Sequence, residues 1–156
     1  MIEPPSRIHF FSWATRISLE LPVGFEEALE DTENHYAVYA DDLDEDDPPG
    51  GRVQTRLARI GNDDSGNLLR AADAAVAQLG HQPLLRREFD IDHLPALEQT
   101  FRYYFDSMET DVVRHEAYVQ AGDLIFAIAG LAGADRETEY LPAFREAAAT
   151  ARIILL

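Results

Sequence analysis

The feature that most constrains this chain is a pair of alternating segments joined by a tight turn. Residues 111–121 and 123–131 read as strands, and Ala121-Gly122-Asp123 between them is a hairpin signal. The segment before them, 97–107, also has a period of two. It sets Phe101, Tyr103 and Phe105 on one side and Arg102, Tyr104 and Asp106 on the other. Residues 84–92 alternate again, with Glu88, Asp90 and Asp92 on one face and Phe89 and Ile91 opposite. Strands in such a run, with short turns between them, imply an antiparallel sheet.

Three more strands are expected upstream. Residues 16–21 alternate and end at Pro22 and Gly24, residues 34–40 form a second candidate, and residues 52–60 a third. In the last of these, Val53, Thr55 and Leu57 share one face and Arg52, Gln54 and Arg56 the other. Two segments have helical spacing instead. Leu68, Leu69, Ala72, Val76 and Leu79 follow the capping residues NDDSG and stop at Gly80 and Pro83. A closing helix from about Thr138 carries the stripe Leu141, Phe144, Ala148, Ala151 and Leu155, with Pro142 tolerated in its first turn. Glu137 and Glu139 at its start and Arg152 near its far end suit the helix dipole. The expected fold class is α+β: a single-domain α/β/α sandwich, its twisted antiparallel sheet flanked by an internal and a C-terminal helix.

The chain has 156 residues, 46% of them hydrophobic, which fits one domain over 1–156 with a core of its own. There is no cysteine, so disulfides, thiolate nucleophiles and Cys-ligated zinc are excluded. Net charge is −16 and every basic residue is Arg. Such acidity speaks against nucleic acid and against an anionic membrane, since both need a positive footprint. It is also uneven. Residues 1–47 carry 13 acids against 2 Arg, whereas residues 48–90 carry 5 against 6. The longest apolar stretch, Leu124 to Ala134, falls well short of the roughly 20 residues that span a bilayer, and MIEPPSRIHF is no secretory signal. The expectation is a soluble, cytoplasmic protein.

This order of elements resembles the PsbP-like superfamily, α/β/α sandwiches around an antiparallel sheet. The segments that carry the likeness are SLELPVGFEE (18–27), RLARIGNDDSGNLLRAADAAVAQLG (56–80), VQAGDLIFAIAG (119–130) and YLPAFREAAATARII (140–154). The superfamily includes the photosystem subunit PsbP, a yeast Ran-binding release factor, DcrB-like proteins and Eag-type chaperones. The resemblance implies binding, as an adaptor, assembly factor or chaperone, and supplies no site residue that matches position by position. The acidic loop 41–51 has no counterpart, and IHFFSW (8–13), within an N-terminal segment 1–13, reads as an added strand or a partner-facing segment.

Chemistry is harder to find. Asp42, Asp44 and Asp46 have the alternate spacing that opens a calcium loop, yet the glycine position is Asp47 and the twelfth is Val53, so a solvated loop is expected. Asp90, Asp92 and His93 read as a wet strand face, and His9, His35, His81, His93 and His115 show no ligand spacing. Ser12, Ser18, Ser65 and Ser107 lie in no nucleophile elbow, and GLAG (130–133) reads as a strand end. No enzyme, cofactor or metal is expected.

A protein partner is. Trp13, Tyr39 and Tyr104 are aromatic residues of the kind interfaces favour, and Arg52 and Arg56, with Arg86, lie in the least acidic region and could rim such a patch. The favoured reading is a non-catalytic module, adaptor or chaperone-like, for a polypeptide partner. A second copy of the chain, as a homodimer, is a further candidate. The alternatives are a small-molecule or lipid carrier with a pocket between sheet and helix, and a hydrolase-type enzyme with an assembled carboxylate or His site.

Overall fold

In the computed structural model, which describes residues 7–41, 51–59 and 68–155, the chain pairs each strand with a neighbour in antiparallel register. β1 (Arg7–Ser12) and β2 (Ile17–Pro22) form a hairpin, and β3 (Phe25–Asp31) and β4 (Tyr36–Asp41) form the next. β5 (Arg52–Arg59) precedes α1 (Leu68–Leu79), then come β6 (Leu85–Ile91), β7 (Leu94–Phe105), β8 (Thr110–Ala121) and β9 (Leu124–Gly133). A short 3-10 turn leads into α2 (Glu137–Ala149), and β10 (Arg152–Ile153) follows. The large sheet has seven strands in the order β3-β4-β5-β9-β8-β7-β6, and β1-β2-β10 form a small one. The expected α+β sandwich is present.

Alternation decides what each face does. On the inner face, Ala37, Tyr39, Val53, Val113 and Phe126 meet Ile17, Leu19 and Leu21 of β2 and Phe144, Ala147 and Ala148 of α2 in one buried cluster. Gly130 sits directly under the Phe144 ring, where a Cβ would collide with three ring carbons. GLAG is thus a ring seat as well as a strand end. The small sheet is fixed to the large one by a buried hydrogen bond of 3.0 Å between the Thr15 and Thr55 hydroxyls.

Of the two readings of IHFFSW, residues 8–12 follow the added strand as part of β1, and Trp13 lies in the turn after it. Four expectations change. β3 is a strand absent from the expected list: its FEEALED sequence lacks alternation because it is a bulged, acidic edge. The closing helix ends at Ala149, where Thr150 bonds back to the Glu146 carbonyl, so Leu155 belongs to no helical stripe. Arg152 serves β10 instead of the helix dipole, reaching Asp92 at 3.1 Å. Asp92 itself leaves the strand face of Glu88 and Asp90. It occupies a turn at φ +51°, and its carboxylate accepts the Ile153 N–H at 3.0 Å. The readings placed on residues 42–50 and on the NDDSG cap lie outside the described residues.

Candidate functional site

The outer face of the large sheet is unevenly covered. α1 packs over β7 and β8, and Ala72 is its one buried residue. Polar groups hold it there. Gln99 of β7 donates to the Ala72 carbonyl at 3.1 Å and to Glu116 Oε1 at 3.0 Å. Arg86 donates to Gln99 Oε1 and pairs with Asp73 of α1 at 2.8 Å. Glu116 also accepts from Arg114 at 2.8 Å and from the Tyr118 hydroxyl at 2.9 Å. Burial disfavours the Arg114 charge, but Glu116 more than offsets it and the guanidinium stays protonated. Burial, with the nearby Glu116 charge, pushes the Tyr118 phenol up, so it remains a donor.

Beside α1 the sheet opens. A cleft of about 320 Å³ lies between Ala71, Ala74 and Gln78 of α1 and Gln54, Arg56 and Ala129 of the sheet. The outer face then continues over β5 and β4, where register sets Val38 beside Gln54 and Tyr36 beside Arg56. A second cleft of about 490 Å³ lies at the other flank of α1, between Leu68 and Leu69 and the strand residues Glu88, Asp90 and Leu97.

The expected partner residues divide. Arg52 and Arg56 are exposed on the outer face of β5, Arg56 at the cleft. Tyr39 points the other way and is fully buried against Phe10 with ring centroids 4.9 Å apart, so it is a core residue that no partner can touch. Trp13, 68% exposed, stacks edge-on against Phe11 in the β1–β2 turn, on the inner side of the sheet. Tyr104, 55% exposed, stands at the end of β7. From Thr55, which anchors the Trp13 turn, Tyr104 is three strands across and about 20 Å further along the strands. Trp13 and Tyr104 therefore do not form one patch. Arg86 is committed to Asp73 and Gln99 and does not join Arg52 and Arg56.

Sequence reading missed the Glu98–His115 pair. His115 Nε2 lies 2.9 Å from Glu98 Oε2, both side chains buried on the inner face, and Arg87 reaches Glu98 at 2.8 Å. Alternation could have flagged only half of it: His115 shares the apolar side of β8 with Val113, Ala117 and Val119, whereas Glu98 shares a side of β7 with Thr100 and Arg102. Neither residue lines either of the two clefts beside α1. Among the described residues no three His, Asp or Glu side chains gather as metal ligands. Asp92 and His93, both at positive φ in the β6–β7 turn, form no such cluster with Asp90. No helix among the described residues is long and apolar enough to cross a membrane.

No family model matches the sequence, and no curated protein matches it. Solved structures do. Cyanobacterial PsbP (CyanoP) from Synechocystis sp. PCC 6803 has a TM-score of 0.64 at 13% identity, over 98% of this chain and 95% of that one. The Ran-binding protein Mog1p of Saccharomyces cerevisiae has a TM-score of 0.65 at 12% identity, over 94% of this chain and 95% of that one. The chain has the PsbP/Mog1p fold. A Bacteroides thetaiotaomicron VPI-5482 structure shares it as well, with a TM-score of 0.63 at 15% identity over 97% of this chain, which spans 50% of that chain. At such identities the likeness is one of fold and assigns no function.

Proposed function

We propose that this chain is a non-catalytic protein-binding module, an adaptor or chaperone-like factor, whose partner sits on the outer face of the large sheet beside α1. The observation that carries the reading is the incomplete cover of that face: α1 lies over β7 and β8, and β9, β5 and β4 stand beyond it among the described residues. Val38, Ala129 and Leu131 are half-buried there, a surface that a folded partner element would finish covering. That Mog1p binds Ran shows that this fold can serve a protein partner. The buried Glu98–His115 pair supports the non-catalytic reading, because a general base must reach the proton it takes and this one is sealed.

The test compares co-purification from the host's lysate by the wild type and by a Val38→Glu, Leu131→Glu variant. Loss of one stoichiometric polypeptide at unchanged melting temperature supports the surface. Retention of that polypeptide by the variant, and its loss with Trp13→Ala, would move the surface to the small sheet. A second reading, a carrier, is favoured by the larger cleft with Leu68, Leu69 and Leu97 in its wall. Native mass spectrometry separates the two, since a carrier retains a mass of a few hundred daltons (roughly the size such clefts hold).

A further inference from the structure

Arginine is normally paired in this molecule. Arg86, Arg87, Arg102, Arg114 and Arg152 each hold a carboxylate. Arg16, Arg52, Arg56 and Arg145 make no ion pair among the described residues, and of these only Arg52 and Arg56 share a strand, both exposed on the outer face of β5. Two unneutralised guanidiniums on the same strand stand out in a chain of net charge −16. Their Cα atoms are roughly 13 Å apart, four strand residues, with Gln54 facing the same way between them. Their register neighbours are mostly apolar. Arg52 pairs in register with Leu131, Gln54 with Ala129 and Val38, and Arg56 with Ala127.

The space beside α1 has the width of a helix. From β9 through β5 and β4 to β3 the sheet extends about 14 Å, and a helix with its side chains is about 10–12 Å across. The flank of α1 that borders this space presents Ala71, Ala74 and Ala75. Side chains that small allow a second helix to approach at about 8–10 Å between axes. An extended segment has a poorer route. It would add at a sheet edge, and the β3 edge on this side is bulged between Glu27 and Leu29 and carries Glu26, Glu27, Glu30 and Asp31.

We propose that the outer face of β9, β5 and β4 receives an acidic amphipathic helix of a partner protein. Its apolar stripe lies on Val38, Ala129 and Leu131, and two of its carboxylates, two turns or about 11 Å apart, meet Arg52 and Arg56. This names the partner's chemistry and rests on the proposed outer-face reading. It also runs against the whole molecule's charge, which by itself favours a basic partner. That conflict makes the inference easy to test.

Three synthetic helical peptides of about 18 residues share one apolar stripe and differ at two positions, which carry Glu, Gln or Lys. Fluorescence anisotropy measures their affinity for the full chain and for the Arg52→Glu, Arg56→Glu variant, and amide hydrogen exchange locates each peptide. The expected result is that the Glu peptide binds roughly tenfold tighter than the Lys peptide and weakens with salt, that the order reverses in the variant, and that protection appears on β4, β5 and β9. Equal binding of the Glu and Gln peptides with protection on those strands overturns the charge inference and leaves the outer-face reading in place. Protection elsewhere, or no binding by any peptide, overturns both. A dimer of the protein alone that the double variant dissociates would make the occupant a second copy and overturn the proposal.

Discussion

His115 Nε2 and Glu98 Oε2 lie 2.9 Å apart between β8 and β7, on the face that also holds the apolar core. The His115 hydrogen bond is the main reason the Glu98 carboxyl is held below the usual carboxylate range. Burial works the other way, and the charges of His115 and Arg87 add to the lowering. A depressed carboxylate stabilises the fold at pH values above its unfolded pKa, about 4.3, and that stabilisation is lost as pH falls through the folded value. Glu98→Gln removes one partner of a buried pair, a change that costs about 3 kcal/mol. Thermal melts should show the variant roughly 6–12 °C lower at neutral pH, with a shallower acid limb than the wild type. A variant that melts with the wild type at pH 7 would show that the pair contributes nothing.

Gly130 and Phe144 make a second, purely steric pair. A Cβ at Gly130 has no place to go while the Phe144 ring lies on it, and overpacking of this kind costs about 1–3 kcal/mol. Gly130→Ala should therefore destabilise, and adding Phe144→Leu should recover part of the loss, because the smaller side chain vacates the seat. Chemical denaturation of the single and double variants reads the coupling. Strict additivity would mean the two positions do not touch.

How much of this was legible depends on where the physical signal lies in the chain. The alternation of Phe101, Arg102, Tyr103 and Tyr104, and of Arg52 through Leu57, reports which side of a strand is wet, so β5 and β7 could be read directly. β3 could not: an edge strand facing solvent needs no apolar alternation, and Glu26, Glu27 and Glu30 give none. Tyr39 is misread from sequence because its strand places one tyrosine on each face, Tyr36 beside Arg56 and Tyr39 beside Val53, leaving the inner side undecided until the strands pair. The openness of the outer face was equally hidden. Leu68, Leu69 and Leu79 announce an amphipathic helix, but only the fold shows that it packs chiefly on β7 and β8. Arg52 and Arg56 were visible as a wet face, and their lack of ion-pair partners became visible only in the fold.

Asp92 ties the end of the chain down. Its carboxylate accepts the Ile153 N–H and the Arg152 guanidinium, and that backbone hydrogen bond leads the lowering of its pKa, with slight burial opposing. Asp92→Asn keeps a residue that tolerates φ +51° and removes the charge. Amide exchange at Ile153 and Ile154 should accelerate in the variant while β7 and β8 keep their protection. The wild type should loosen in the same place as pH falls below the usual range of an Asp, since the bound form is the carboxylate. Equal protection in both proteins would place the hold on β10 in its pairing with β2.

Trp13 separates the two sides of the molecule. It is the chain's single tryptophan, 68% exposed, and its turn is fastened by Thr15 to the inner face, whereas the proposed partner lies on the outer one. The folded protein should already emit like a hydrated indole, and acrylamide should quench it almost as well before unfolding as after. Trp13→Ala should cost no more than about 1 kcal/mol, chiefly its edge contact with Phe11 at 4.8 Å. Quenching should also stay unchanged when the acidic peptide binds, because the sheet stands between them. If the peptide shields Trp13 instead, the binding surface is the small sheet, and Arg52 and Arg56 are merely solvated.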